Sequence, residues 1–221
     1  MPAEESFAEF EILSEQLLLL CEKAILWPRA GMLMIADLHL GKAGHFRKHG
    51  LPVNASVNEE SLVILSEMVI KHKVSRVMVL GDLFHSRENA EWEILGDWLR
   101  YHRVKMELIK GNHDVLPVNL YEDYGIKVHS KTYSEAPFFF IHDPMKDESK
   151  IPEGYFALSG HVHPAVSLSG KARQAVRLEC FCFTRRQGIL PAFGKFTGNE
   201  IVRKSDYANI FVIAEGQVLK L

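Results

Sequence analysis

The chain has 221 residues, of which 47% are hydrophobic and 24% charged, with a formal net charge of −2. A chain this apolar can bury a core, which excludes disorder as its main state, and 15 Gly with 9 Pro exclude a collagen-like polymer. The near balance of 26 Lys+Arg against 28 Asp+Glu excludes a protein that coats nucleic acid through bulk charge, but not one with a local basic groove.

Length predicts one domain over residues 1–221, burying roughly 70–75% of its unfolded surface and needing no disulfide staples. Cys21, Cys180 and Cys182 are odd in number and lack framework spacing, which fits a reducing cytoplasm. The acidic start (Glu4, Glu5, Glu9, Glu11) is the opposite of a signal peptide's basic one. Leu17 to Leu20 is too short an apolar run to cross a bilayer. The expectation is a cytoplasmic protein with no membrane span.

In chain order, residues 32–36 read as a buried strand. Residues 57–73 read as an amphipathic helix with Leu62, Leu65 and Val69 on one face, opened by capping-box spacing from Ser56 to Glu59. A strand follows over 76–80. A second helix over 91–103 carries Trp92, Leu95, Trp98 and Leu99 as its stripe, with acids in the first turn and bases in the last. Strands are predicted over 104–109, 138–141 and 155–158, with an exposed loop over 143–154. After Gly160 helical periodicity disappears, and strands are expected over 166–168, 176–183, 189–190 and 210–213. Cys180 and Cys182 would alternate onto one face as small apolar fillers. The first half is βαβ-like and the second mostly β, so the fold class is α/β, two sheets packed together with helices outside.

Five of these apolar runs end in Asp, Asn or His. They run into Asp37-Leu38-His39, Gly81-Asp82-Leu83-Phe84-His85, Gly111-Asn112-His113-Asp114, His142-Asp143 and Gly160-His161-Val162-His163. Six of the eleven histidines fall in these clusters. Strand ends converge at one edge of a sheet, where open α/β folds place their sites. In an extended strand residues i and i+2 point the same way, so Asp37 and His39 can grip one ion together. His161 and His163 stand in the same relation, though a turn after Gly160 could aim them at different ions. Gly81 and Gly111 free the backbone to turn. Asp82 can bridge two ions with its two oxygens, and Asn112 offers a neutral one. His142 follows the strong apolar run Phe138 to Ile141, whereas the alternative His129 follows Ile126-Lys127-Val128, a weaker one. These N and O donors without Cys suit Mn²⁺, Fe or Zn²⁺ better than a structural thiolate site. Any one Asp-x-His is weak evidence, since strand-end Asp and Asn also make turns. The ordered set of five carries the metal reading.

That order resembles the calcineurin-like metallophosphoesterase superfamily over residues 37–163. The resemblance implies a four-layer αββα sandwich of two mixed sheets with a two-metal site at the strand ends. Further stretches resemble the ligase-associated DNA damage response endonuclease (PdeM-type) family. They are Ala36 to Ala43 with Phe46-Arg47, Gly81 to Ser86, Gly160 to Pro164, and Leu190 to Gly198. By that resemblance Asp37, His39, Asp82 and His163 would hold one metal, and Asp82, Asn112, His142 and His161 the other. His113 would be the catalytic histidine, oriented by Asp114. His85 resembles the histidine with which Mre11-type nucleases act on a phosphodiester.

The implied activity is hydrolysis of DNA phosphodiester bonds, single-stranded DNA above all, by a hydroxide activated between two divalent ions. Mn²⁺ is the first choice, with Fe, Zn²⁺ or Mg²⁺ as alternatives. The setting would be DNA repair beside a DNA-ligase system. Phe46, Arg47 and Lys48 follow the first ligand pair and could grip a DNA phosphate with Phe46 stacking on a base. The competing reading of that segment is a solvated loop. Arg185-Arg186 and Lys171-Ala172-Arg173 read as solvated hairpin charges, and residues 188–198 as turns lining the cleft. An alternative function is hydrolysis of a small phosphodiester or nucleotide. A third, a non-catalytic scaffold, would predict lost ligand positions, and none is lost.

Overall fold

The structure, a computed structural model, describes residues 7–41, 56–84, 90–169, 175–195 and 197–221. Phe46, Arg47, Lys48, His85, the capping-box side chains at 56–59 and residues 171–173 lie outside the described residues.

Strands β1 (Phe7–Ile12), β2 (Glu15–Leu20), β3 (Ala24–Trp27) and β4 (Met32–Ile35) form an antiparallel meander. From β4 the sheet continues in parallel through β5 (Arg76–Val79), β6 (Lys105–Ile109) and β7 (Ile126–His129). Helices α1 (Ser56–Lys71), α2 (Ala90–His102) and α3 (Val118–Asp123) supply the crossovers, as parallel pairing requires. The second sheet contains β8 (Thr132–Glu135), β9 (Phe138–Ile141), β10 (Phe156–Ser159), β11 (Pro164–Ser169), β12 (Ala175–Phe183), β13 (Gln187–Ile189) and β14 (Glu200–Ile201). They run in the order β14-β11-β12-β13-β10-β9-β8, and β12 also pairs with β15 (Asn209–Ala214), which pairs with β16 (Gln217–Lys220). Within it β9, β10 and β13 are parallel. Two mixed sheets with helices are therefore present, as expected.

Side-chain alternation builds the layers. Met34, Met78 and Ile109 point from the first sheet toward Phe138, Phe140, Phe181 and Phe183 of the second, forming the inter-sheet core. Their neighbours Leu33, Ile35, Val77, Val79, Met106 and Leu108 face the other way, against Leu65 and Val69 of α1, Trp92 and Leu95 of α2 and Tyr121 of α3. Burial on both faces explains why β4 and β9 are continuous apolar runs rather than alternating ones. Each fully buried side chain contributes about 1.5–3 kcal/mol. On the outer face of the second sheet Cys180 and Cys182 pack with Ile210 and Val212, the filler role expected of them. Short 3₁₀ turns at Glu148–Lys150 and Lys204–Asp206 lie among the connections of this half.

The N-terminal meander and α3 had no sequence signal of comparable strength. Leu17 to Leu20 is β2, but four consecutive leucines suit helix or strand equally. Helix α3 is too short for periodicity to show. Among the described residues no helix is long and apolar enough to cross a membrane.

Candidate metal centre

The parallel strands β4, β5 and β6 end on one edge of the first sheet, and β9 and β10 end on the matching edge of the second. The described residues of the five polar clusters follow these ends and meet there. Asp37, His39 and His163 place their ligating atoms within 4.8 Å of one another, and Asp82, His142 and His161 do the same. Asp82 links the two groups. Its Oδ2 lies 3.7 Å from His39 Nε2 and its Oδ1 3.6 Å from His142 Nε2. Asp37, His39, Asp82 and His142 are buried, whereas His161 and His163 are half-buried and face the opening.

The backbone does not deliver these residues as an extended strand would. Asp37, His39, Asp82, His161 and His163 all have positive φ, between 49° and 70°. Non-glycine residues rarely adopt this region, and strain of this kind clusters at functional sites. The co-orientation of Asp37 and His39 thus comes from left-handed turns past the end of β4, which corrects the expectation of strand alternation. The turn after Gly160 sends His161 and His163 to different groups. Gly111 also needs correction, because its φ is not left-handed. A Cβ there would lie 2.2 Å from Asp82 Oδ1, so the position requires empty space rather than a turn. Gly81 requires both: its φ is +86°, and a Cβ would lie 2.0 Å from His142 Nδ1.

Hydrogen bonds set the imidazole tautomers. His142 Nδ1 lies 2.9 Å from the Leu80 carbonyl, and His163 Nδ1 lies 2.9 Å from the Gly198 carbonyl. A carbonyl only accepts, so each Nδ1 carries the proton and each Nε2 presents a lone pair to its group. His161 Nδ1 stands 3.1 Å from His142 Nε2. Two nitrogens bound at about 2.1 Å on adjacent positions of one ion would stand about 3 Å apart. Asp37 Oδ2 accepts from the His161 backbone N–H, while Asp37 Oδ1 is buried with no hydrogen-bond partner and faces His163 Nε2 at 3.3 Å. Such an orphaned carboxylate oxygen is costly without a cation. The donor set therefore fits a pair of divalent ions.

The family model for calcineurin-like phosphoesterases matches residues 32–180. This chain belongs to the calcineurin-like phosphoesterase family. Among solved structures, the phosphoesterase resembles the Pseudomonas putida nuclease MPE at 29% identity and a TM-score of 0.81, covering 97% of this chain and 100% of that one. An Escherichia coli phosphoesterase, YfcE, aligns at 12% identity and TM-score 0.42 over 83% of this chain and 88% of its own. A predicted phosphoesterase of Streptococcus pneumoniae aligns at 10% identity and TM-score 0.37, over 86% and 95%. No curated protein matches the sequence.

The remaining site residues of this phosphoesterase fall around the two groups. Asn112 is exposed and lines a cleft of about 640 Å³ beside His142. His113 is also exposed, with its ring 5.2 Å from that of His39 and its backbone N–H bonded to Asp82 Oδ1 at 2.9 Å. Asp114 is buried, and its carboxylate accepts from the backbone N–H groups of Asp82, Leu83, Phe84 and Gly111. It braces the ends of β5 and β6 against each other. Burial above all, with the Asp82 charge adding to it, raises the Asp114 pKa to about 6 against the lowering effect of those N–H groups. His129 stands in neither group, because its Nε2 lies 2.8 Å from Glu107. The structure thus brings His142, not His129, to the metal groups.

Some residues near the centre give little sign of themselves in the sequence. Asp143 Oδ1 lies 3.5 Å from His161 Nε2, and its place directly after His142 was the available signal. Arg186 is not a solvated charge. Its guanidinium donates to the carbonyls of Glu148, Ile151 and Pro152, and Gln187 donates to and accepts from the Met145 backbone. Of the described residues in 188–198, Phe193 and Gly194 lie against the centre, their N–H groups bonding to the carbonyls of Ala36 and Asp37.

Proposed function

We propose that this phosphoesterase hydrolyses DNA phosphodiester bonds, preferring single strands, with two Mn²⁺ ions at the paired groups. The observation that carries the reading is Asp82, whose two carboxylate oxygens each face one group. The likeness to a nuclease over nearly the whole chain supports the substrate class. A divalent pair held there supplies positive charge for the phosphate oxygens and lowers the pKa of water.

The chain's own residues then have defined tasks. Asp37, His39 and His163 would hold one ion and His142, His161 and Asn112 the other, with Asp82 serving both. The Leu80 and Gly198 carbonyls keep the His142 and His163 lone pairs on Nε2. His113, exposed beside His39, offers an imidazole nitrogen to protonate the leaving alkoxide. Asp114 acts through the backbone, fixing the loop that carries Asn112 and His113. Roles for His85 and for Phe46, Arg47 and Lys48 rest on the sequence resemblance alone. So does a place in DNA repair beside a ligase. A reducing cytoplasm as its location rests on the odd number and spacing of the cysteines in the sequence.

The test is Mn²⁺-dependent hydrolysis of a chromogenic diester, a monoester, and single- and double-stranded DNA. Cleavage of the diester and single-stranded DNA is expected, with Asp82→Asn lowering both at least about a hundredfold. Diester cleavage without DNA nicking would favour a small-molecule substrate, and undiminished activity of Asp82→Asn would show a contaminating enzyme.

A further inference from the structure

The cleft beside the second group continues away from it along the ends of β6, β8 and β9. Beyond Asn112 and His142 it is lined by the polar Ser130, Lys131 and Thr132 and by the apolar Val118, Ile141 and Met145, with Thr132 and Ile141 paired on adjacent strands. Its volume of about 640 Å³ falls in the range of pockets that take a drug-sized molecule. A simple diester at the metal groups would leave this space empty.

The walls are held in place. The Lys110 ammonium donates to the Leu116 carbonyl and its N–H to the His129 carbonyl, which ties the 111–117 loop to the end of β7. Met145 is fixed by paired bonds to Gln187. Charge in the cleft is divided unevenly. Asp114 is buried and occupied by backbone N–H groups, and Asp143 faces His161. Lys131 is exposed and has no ion-pair partner among the described residues. The exposed Ser130 and Thr132 flank it in sequence with a hydroxyl each. An exposed cation beside two hydroxyls matches the single negative charge of a phosphodiester, and the apolar side chains lining the same cleft match a base or sugar.

We infer that this cleft is a subsite for the nucleotide adjoining the scissile phosphate on the side of the second metal group, with Lys131 binding its phosphate. The inference rests on the DNA phosphodiesterase reading and makes that site selective for a strand over a small diester. Lys131 binds substrate here and takes no part in the proton transfers.

The experiment compares kcat/KM of the Mn²⁺-loaded protein for a single-stranded oligodeoxynucleotide and for bis(p-nitrophenyl) phosphate. In Lys131→Glu the ratio of the first to the second should fall at least about tenfold, mainly through KM, and Lys131→Arg should restore it. The slope of log KM for the oligonucleotide against log salt should shrink by about 0.7, the value of one cation neutralising one phosphate of a single strand. An unchanged ratio, or equal falls on both substrates, overturns the subsite. Wild-type protein that cleaves only the chromogenic diester also overturns it while leaving the metal chemistry standing. Wild-type protein inert on both overturns the phosphodiesterase reading itself.

Discussion

At the scale of single residues the centre depends on atoms that are missing as much as on those present. Gly81 lies against His142, and Gly111 against Asp82, at distances no side chain could share. Gly81→Ala would force a Cβ into the His142 ring at a left-handed φ, so we expect a loss of about 2–4 kcal/mol in chemical unfolding. The rise in Tm on adding Mn²⁺ should shrink with it, because His142 is displaced from its group. An unchanged response to Mn²⁺ would remove His142 from the ligand set. The sequence showed the glycines and the histidine but not their contact, since Gly81 and His142 are brought together by two different sheets. The choice of His142 over His129 was open for the same reason. Glu107, which holds His129, belongs to a neighbouring strand and is invisible in the spacing around His129.

At the scale of elements, apolar runs announced the strands and their polar ends announced the site. The loop over residues 143–154 was legible as a loop from its polarity and prolines. Its anchoring was not, because Arg186 looks like any hairpin charge until three carbonyls are found around it. Arg186→Ala should cost about 2 kcal/mol, the value of charge-assisted bonds to carbonyls left unmade. The loop should also gain hydrogen exchange at residues 148–152 ahead of global unfolding. Equal exchange in mutant and wild type would show that Gln187 holds the loop alone.

At the scale of the whole molecule, the two sheets are joined by an aromatic core and, at one edge, by an ionic cluster. Arg76 of the first sheet donates to both Glu107 of its own sheet and Glu135 of the second, while Lys127 and His129 complete the shell of Glu107. Burial, the largest influence, raises the Glu107 pKa, but the bonds from His129, Arg76 and Lys127 together outweigh it and hold it at about 2. A folded pKa below the unfolded one gives stability that is complete above about pH 4.5 and fades as pH falls toward 2. Glu107→Gln should therefore lose up to about 3 kcal/mol at pH 6 in urea titrations. The gap to wild type should narrow between about pH 4.5 and pH 2. A gap independent of pH would mean that packing, rather than charge, makes the contribution.

The sequence by itself determined the α/β class, most of the strands, both long helices and five of the six His and Asp side chains of the two metal groups, with His142 and His129 left as alternatives for the sixth. Local periodicity and strand-end chemistry are written in neighbouring residues, so they can be read without a fold. Tertiary structure alone decided for His142 over His129 and placed the two groups, as the family resemblance divides them, against the two oxygens of Asp82. It alone set the tautomers of His142 and His163 and showed that Arg186 clamps a loop. It also revealed the cleft that extends the metal centre toward Lys131. Each of these depends on a distance between segments far apart in the chain, and a distance exists only once both sheets have packed.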